Sequence, residues 1–217
     1  MKKLLFWMLL IVGTVALLGS CAKKEESTTA AAAAGVCTTC DPLTSTTTAA
    51  GSITVGSATL SGTYASSCFT NVSRFSSGAV PSDTKSYGFL FIVTGNNNVS
   101  EEMNYYTDST CTIAGYKQKQ VYDNVTVGSA SSVGSYFQVS QFYKLKKLLV
   151  TTTVSETWLQ GIYSDQVDFV VDTEKTITVS YQQNYNLWNV SATTFSQGEK
   201  VLNGYPTELE GVTYTKQ

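Results

Sequence analysis

From residue 57 onward, apolar side chains recur at every second position in short segments separated by turn-forming residues, and this pattern constrains the fold more than anything else in the chain. In residues 85–94, Tyr87, Phe89, Phe91 and Val93 fall on one face, because successive side chains of an extended strand point to opposite sides. Gly95, Asn96, Asn97 and Asn98 follow, residues that tolerate the positive φ of tight turns. Residues 99–107 return with Val99, Met103 and Tyr105 together, which predicts a hairpin. Alternation continues at 116–122, at 135–143 with Phe137, Val139 and Tyr143 on one side, and at 185–190. Apolar segments at 145–153, 167–171 and 176–181 read as further strands, the last two joined by a turn at 172–175. Shorter ones follow at 200–202 and 212–215. The one helical candidate is 155–163, where Val154, Trp158 and Ile162 recur at four-residue spacing and Ser155 can cap the N-terminus. About eight to ten short strands with regular turn signals mean a barrel or a sandwich.

The first residues carry an address. Lys2 and Lys3 precede an uncharged, mostly apolar run over 4–18, followed by Gly19, Ser20 and Cys21. Positive start, apolar run and small residues are the parts of a secretory signal. As a helix the run reaches only about 22 Å, short of a hydrocarbon core of about 30 Å. Leu18, Gly19, Ser20 and Cys21 resemble the lipobox of bacterial lipoproteins. That resemblance implies cleavage before Cys21, lipidation of Cys21 with several acyl chains, and a stable hold on the membrane. Ala22 rather than Asp after the cysteine implies transport to the outer membrane.

Between the signal and the alternating region, residues 21–56 are rich in Ala, Thr and Ser with little apolar bulk, and read as a lipidated, disordered tether. The expected organisation is a signal peptide over 1–20, the tether over 21–56 and one β domain over 57–217. Two of the 14 basic residues leave with the signal, so 12 remain against 16 acidic ones. A mildly acidic chain argues against nucleic-acid binding. The sequence contains no histidine, which removes the commonest general base and metal ligand. Besides Cys21 there are Cys37, Cys40, Cys68 and Cys111. Cys68 and Cys111 stand at the ends of predicted strands and are expected to pair in an oxidising compartment. Cys37 and Cys40 lie in tether sequence and read as a local disulfide or an unused thiol pair; crossed pairings stay open.

Leu60, Ser61, Gly62, Thr63 and Tyr64 resemble the Gly-x-aromatic signature on the first strand of lipocalin-like barrels. Tyr stands here for the commoner Trp, and no arginine near the end matches the residue that ordinarily packs over that aromatic. A group of exported bacterial proteins shares Gly62, Thr63, Tyr64, Ser66 and Cys68 followed by Tyr106, Asp108 and Cys111 in similar spacing. The resemblance implies an all-β fold: a single antiparallel up-and-down β-barrel with one short helix, a β-sandwich being the alternative.

An eight-stranded barrel is filled by side chains or holds one small ligand. If the interior is open, Tyr64, Tyr87, Phe89, Phe91, Tyr105, Phe137 and Val139 are its candidate lining; if filled, they are core. Glu101 and Glu102 are neighbours on a strand and point to opposite faces. With Asp165, Asp168 and Asp172 they read as solvated surface. Lys144, Lys146 and Lys147 read as solubilising or edge-guarding charge, with acidic glycans or lipid headgroups as the functional alternative. No catalytic constellation, metal site or cofactor motif is found, so an enzyme is not expected. The functional expectation is a membrane-anchored module in the cell envelope that binds a small hydrophobic or amphipathic ligand. The alternative is a structural or adhesin-like lipoprotein whose protein partner the sequence does not identify.

Overall fold

Alternation over residues 85–107 produces the expected hairpin. In a computed structural model that describes residues 41–217, β4 (Ser86–Gly95) and β5 (Asn98–Tyr106) pair antiparallel. The signal segment, Cys21, Cys37 and Cys40 lie outside the described residues. Ahead of this hairpin stand β1 (Ile53–Val55), β2 (Ala58–Leu60) and β3 (Thr63–Ala65). After it come β6 (Ala114–Ala130), β7 (Phe137–Val150), α1 (Thr153–Tyr163) and β8 (Glu174–Ile177). The chain ends with β9 (Gln182–Val190), β10 (Thr194–Gly198) and β11 (Leu209–Lys216).

Eight strands close into an antiparallel up-and-down barrel in the order β3, β4, β5, β6, β7, β9, β10, β11, with β11 returning to β3. Closure leaves no strand edge in the ring. β7 is shared: Phe137 to Tyr143 pair with β9, while Lys146 to Leu149 pair with β8. β8 and β9 are thus one strand side interrupted at residues 178–181. Links β3 to β4, β5 to β6, β7 through α1 to β8, and β10 to β11 gather at one end, here the helix end. The tight β4–β5, β6–β7 and β9–β10 connections form the other.

Several boundaries differ from the sequence reading, for definite reasons. Segments 135–143 and 145–153 are one strand, because the register shifts between Tyr143 and Leu145 and bulges Lys144 out of the ladder. One extra residue inverts the alternation: Val139 and Tyr143 face inward before it, Leu148 and Val150 after it. Residues 167–171 form no strand. Phe169 is buried there and its N–H donates to Gln160 Oε1 at 2.9 Å, so a helix side chain holds the segment instead of a ladder. The helix begins two residues earlier than expected, with Thr152 as N-cap. The Thr152 hydroxyl accepts from Ser155 N at 3.1 Å and the Ser155 hydroxyl accepts from Thr152 N, a capping box.

Residues 41–56, read from composition as tether, lie against the barrel. Leu43 is fully buried, and its carbonyl accepts from Asn104 Nδ2. Thr44 O accepts from Lys117 Nζ at 3.1 Å, while the Ser45 and Thr47 hydroxyls both donate to Glu102 Oε1 at 2.7 Å. Hydroxyl-rich sequence serves here as a hydrogen-bonding strap down the outside of β5 and β6. β1 and β2 then form a separate hairpin whose Ile53, Val55 and Leu60 join the core. Its turn residue Gly56 has φ +61 and lies against the Phe137 ring, which a Cβ would strike; only glycine satisfies both demands.

Candidate ligand-binding cleft

All seven residues singled out as candidate lining sit on the inner faces of the barrel strands. Tyr64, Tyr87, Phe89, Phe91, Tyr105 and Val139 are buried and Phe137 is half-buried. The rings of Tyr64, Tyr87, Phe89, Phe91 and Tyr105 are occupied with one another and with rings from neighbouring strands. Phe91 lies 4.3 Å from Phe195 and 5.3 Å from Trp188, Tyr87 5.5 Å from Phe89, and Tyr105 stacks on Tyr116 at 4.5 Å. Lys216 Nζ sits 5.9 Å over the Tyr64 ring, supplying a cation from the last strand. A void of about 30 Å³ lies beside Phe89, Met103, Glu101, Gln197, Lys200 and Tyr214. That is room for a water, not for an organic molecule. These side chains therefore pack as core.

The interior also has a polar side. Glu101 faces inward opposite Phe91 and Gln120, and its Oε2 accepts from Lys200 Nζ at 2.5 Å. Asn186 Nδ2 donates to Gln197 Oε1, and Gln197 Nε2 to the Tyr214 hydroxyl. Glu102 faces outward, as the adjacency of the two glutamates requires, yet is 1% exposed and lies 3.4 Å from Lys117 Nζ under the strap. The reading of both glutamates as solvated is thus corrected: each is buried and paired with a lysine. The three basic residues of β7 are likewise committed. Lys144 pairs with Asp123, Lys147 with Glu174, and Lys146 donates to the Tyr163 hydroxyl at 2.7 Å.

Open volume lies at the helix end instead. The β3–β4 link is fixed at its start by reciprocal backbone bonds between Phe69 and Tyr87 and by the Cys68–Cys111 disulfide, which joins it to the β5–β6 link as expected. It then makes a short 3-10 turn (Val72–Arg74) and drives Phe75 edge-on onto Tyr87, ring centroids 4.9 Å apart. Its far part is tied to α1: Trp158 Nε1 donates to Gly78 O at 2.9 Å and the Thr152 hydroxyl to Asp83 Oδ2 at 3.0 Å. Link and helix touch at these points and stand apart between them. The cleft so formed has a volume of about 740 Å³. Val72, Phe75, Val80, Pro81, Val154 and Trp158 supply its apolar wall, and Ser76, Ser77, Ser82, Thr84, Thr153 and Thr157 its hydroxyl rim. The lining contains no charged side chain, so the chemistry it offers is apolar contact with neutral hydrogen bonds at the edge.

Of the cleft residues, sequence reasoning singled out only Val154 and Trp158, as helix periodicity. Val72, Phe75 and Val80 were missed because they sit in a Ser- and Gly-rich link with no strand or helix period. Three bulky apolar residues within such a link were the available signal. No protein-family model matches this chain, and no curated protein matches it.

Proposed function

We propose that this chain is a lipid-anchored protein of the bacterial cell envelope that holds a small hydrophobic or amphipathic ligand in the cleft between α1 and the β3–β4 link. The carrying observation is the cleft itself: about 740 Å³ of open space walled by Phe75, Trp158 and three valines, with hydroxyls at its edge. Ligand sites of small organic molecules have this size and this mixture of apolar wall and few polar groups. Binding is favoured over catalysis because the two most buried carboxylates, Glu101 and Glu102, are engaged by lysines and neither lines the cleft. The address rests on the lipobox residues ending at Cys21, whose acylation supplies the membrane partner; Ala22 favours the outer membrane. A barrel filled by aromatic rings is then a rigid support that presents the cleft, and no cofactor or nucleic acid enters this reading.

The test is fluorescence titration of the protein with N-phenyl-1-naphthylamine, an apolar probe. Saturable binding is expected, and Thr157→Trp, which fills the cleft from an exposed position, should abolish it while leaving the β-sheet circular dichroism unchanged. Absence of saturable binding, or binding untouched by the filled cleft, overturns the proposal.

A further inference from the structure

Helix α1 leaves the two ends of its most apolar stripe exposed, while Trp158 between them is half-buried with its ring 5.6 Å from Tyr116. Val154, Trp158 and Ile162 lie at i, i+4 and i+8 and share a face, yet the residues α1 buries are Ser155 and Leu159. Ser155 Oγ donates to Gly115 O at 2.9 Å, seating the helix on the start of β6. Val154 is left 40% exposed and Ile162 48%. Two more exposed apolar residues belong to the same end. Val170, 51% exposed, follows the helix, and Ile113, 59% exposed, stands two residues before Gly115. Scattered exposed apolar side chains need no explanation, but several at the end that carries an apolar cleft offer an interaction surface.

The course of the chain indicates what covers it. The strap begins at Asp41, which shares a hollow with Cys68 and Cys111, the disulfide that ties the helix-end links together. The described structure is therefore entered at the helix end. Asp41 lies twenty positions after Cys21, a distance of at most about 70 Å even when fully extended. An acylated Cys21 would tether the chain to the bilayer through this end. Glu156, Asp165 and Asp168 flank the stripe, so the surface that fits is one entered by apolar contact rather than by attraction to anionic headgroups.

We propose that the Val154, Trp158 and Ile162 stripe, with Ile113 and Val170, docks on a zwitterionic bilayer surface, so that the cleft opens against lipid. The inference rests on the lipid-anchor reading of Cys21. Amphipathic helices lie in the membrane interface in this way, apolar face down. An apolar or amphipathic ligand then passes between bilayer and cleft without crossing water.

The experiment uses the full mature protein in vesicles of dioleoylphosphatidylcholine with and without brominated chains. Brominated lipid is expected to quench tryptophan emission, and the quenched component should vanish in Trp158→Phe, since Trp188 is buried in the barrel. Val154→Asp with Ile162→Asp should lose most of the quenching while the protein stays anchored. If that variant misfolds, Ile113→Asp, outside the helix, should weaken quenching on its own. An anchored protein whose Trp158 is not quenched, or whose quenching ignores these substitutions, overturns the docking proposal. The mass of the purified protein reads the anchor separately. A chain without lipid on Cys21 defeats the anchor reading. In that case sedimentation of the unlipidated chain with the vesicles, dependent on Val154 and Ile162, supports docking, and failure to sediment overturns it.

Discussion

Asp108 organises the β5–β6 link by accepting from five groups at once, the Thr110 N–H among them. Its Oδ1 takes the N–H of Thr112 at 3.0 Å and of Ile113 at 2.9 Å, and its Oδ2 takes the Thr112 hydroxyl at 2.6 Å and the Thr110 hydroxyl. This turn holds Cys111 at φ 56, from which it reaches Cys68. All of these bonds favour the ionised carboxylate. The Thr110 hydroxyl first, then the Thr112 hydroxyl and the Ile113 amide, hold the Asp108 carboxyl well below the usual range. A folded-state value below the unfolded value of about 4 means the stabilisation is complete above that pH and fades as pH falls through the folded value. By NMR, Asp108 should titrate well below the usual carboxylate range, and Asp108→Ala should flatten the acid-side decline of stability; an ordinary titration would refute the turn's role. At this scale the sequence is legible where local geometry decides. Adjacency on a strand places Glu101 and Glu102 on opposite faces. It is silent on what meets each face, because Lys200 arrives on a loop 99 positions away and the hydroxyls on Glu102 come from sequence that looks like spacer. The same holds for Tyr64: its cation comes from Lys216, on the last strand.

The elements were legible to the extent that their period was unbroken. β4 and β5 keep strict alternation and match the reading; β6 and β7 contain bulges that invert it, at Asn124 with φ 50 and at Lys144. A reader who follows one parity through a bulge assigns the second half of the strand to the wrong face. Helix α1 was visible from a stripe of which only Trp158 packs on the core, the fully buried residues being Ser155 and Leu159, since a four-residue period reports helicity but not which side is buried. The two sides of α1 predict opposite responses to substitution. Thr152→Ala removes the cap acceptor and should cost about 1 kcal/mol, and Leu159→Ala, at a buried position, about 2–4 kcal/mol. Val154→Asp, at an exposed one, should stay within about 0.5 kcal/mol. Urea unfolding of the three variants checks this directly. A large loss from Val154→Asp would mean that the stripe, and not Leu159, seats the helix.

For the molecule as a whole, the strap and the β1–β2 hairpin make the barrel larger than its strands. Composition hid this because Ser, Thr and Ala offer little hydrophobic signal, whereas the strap's energetics come from hydrogen bonds to groups the barrel has already buried. Glu102 and Lys117 face each other on the outside of β5 and β6 with side chains 1% and 7% exposed, and burial lowers the Lys117 pKa against the opposing pull of Glu102. Such a pair is stabilising only while its remaining hydrogen-bond capacity is met. Ser45 and Thr47 meet it at Oε1 of Glu102, and the Thr44 carbonyl meets it on Lys117. Chains truncated to begin at Asp41 and at Gly51 should therefore differ sharply although both retain every strand. The second loses the burial of Leu43, worth about 2 kcal/mol, and the hydroxyl partners of Glu102, each worth about 1 kcal/mol or more. The expected difference is at least about 3 kcal/mol in urea unfolding, accompanied by faster amide exchange along β5 and β6. Adding Glu102→Gln to each chain separates the causes. If the strap acts chiefly by satisfying the carboxylate, the substitution should shrink the difference between the two truncations. If Leu43 dominates, the difference should survive it. Equal stability of the two truncated chains would show that residues 41–50 rest on the barrel without contributing to its stability.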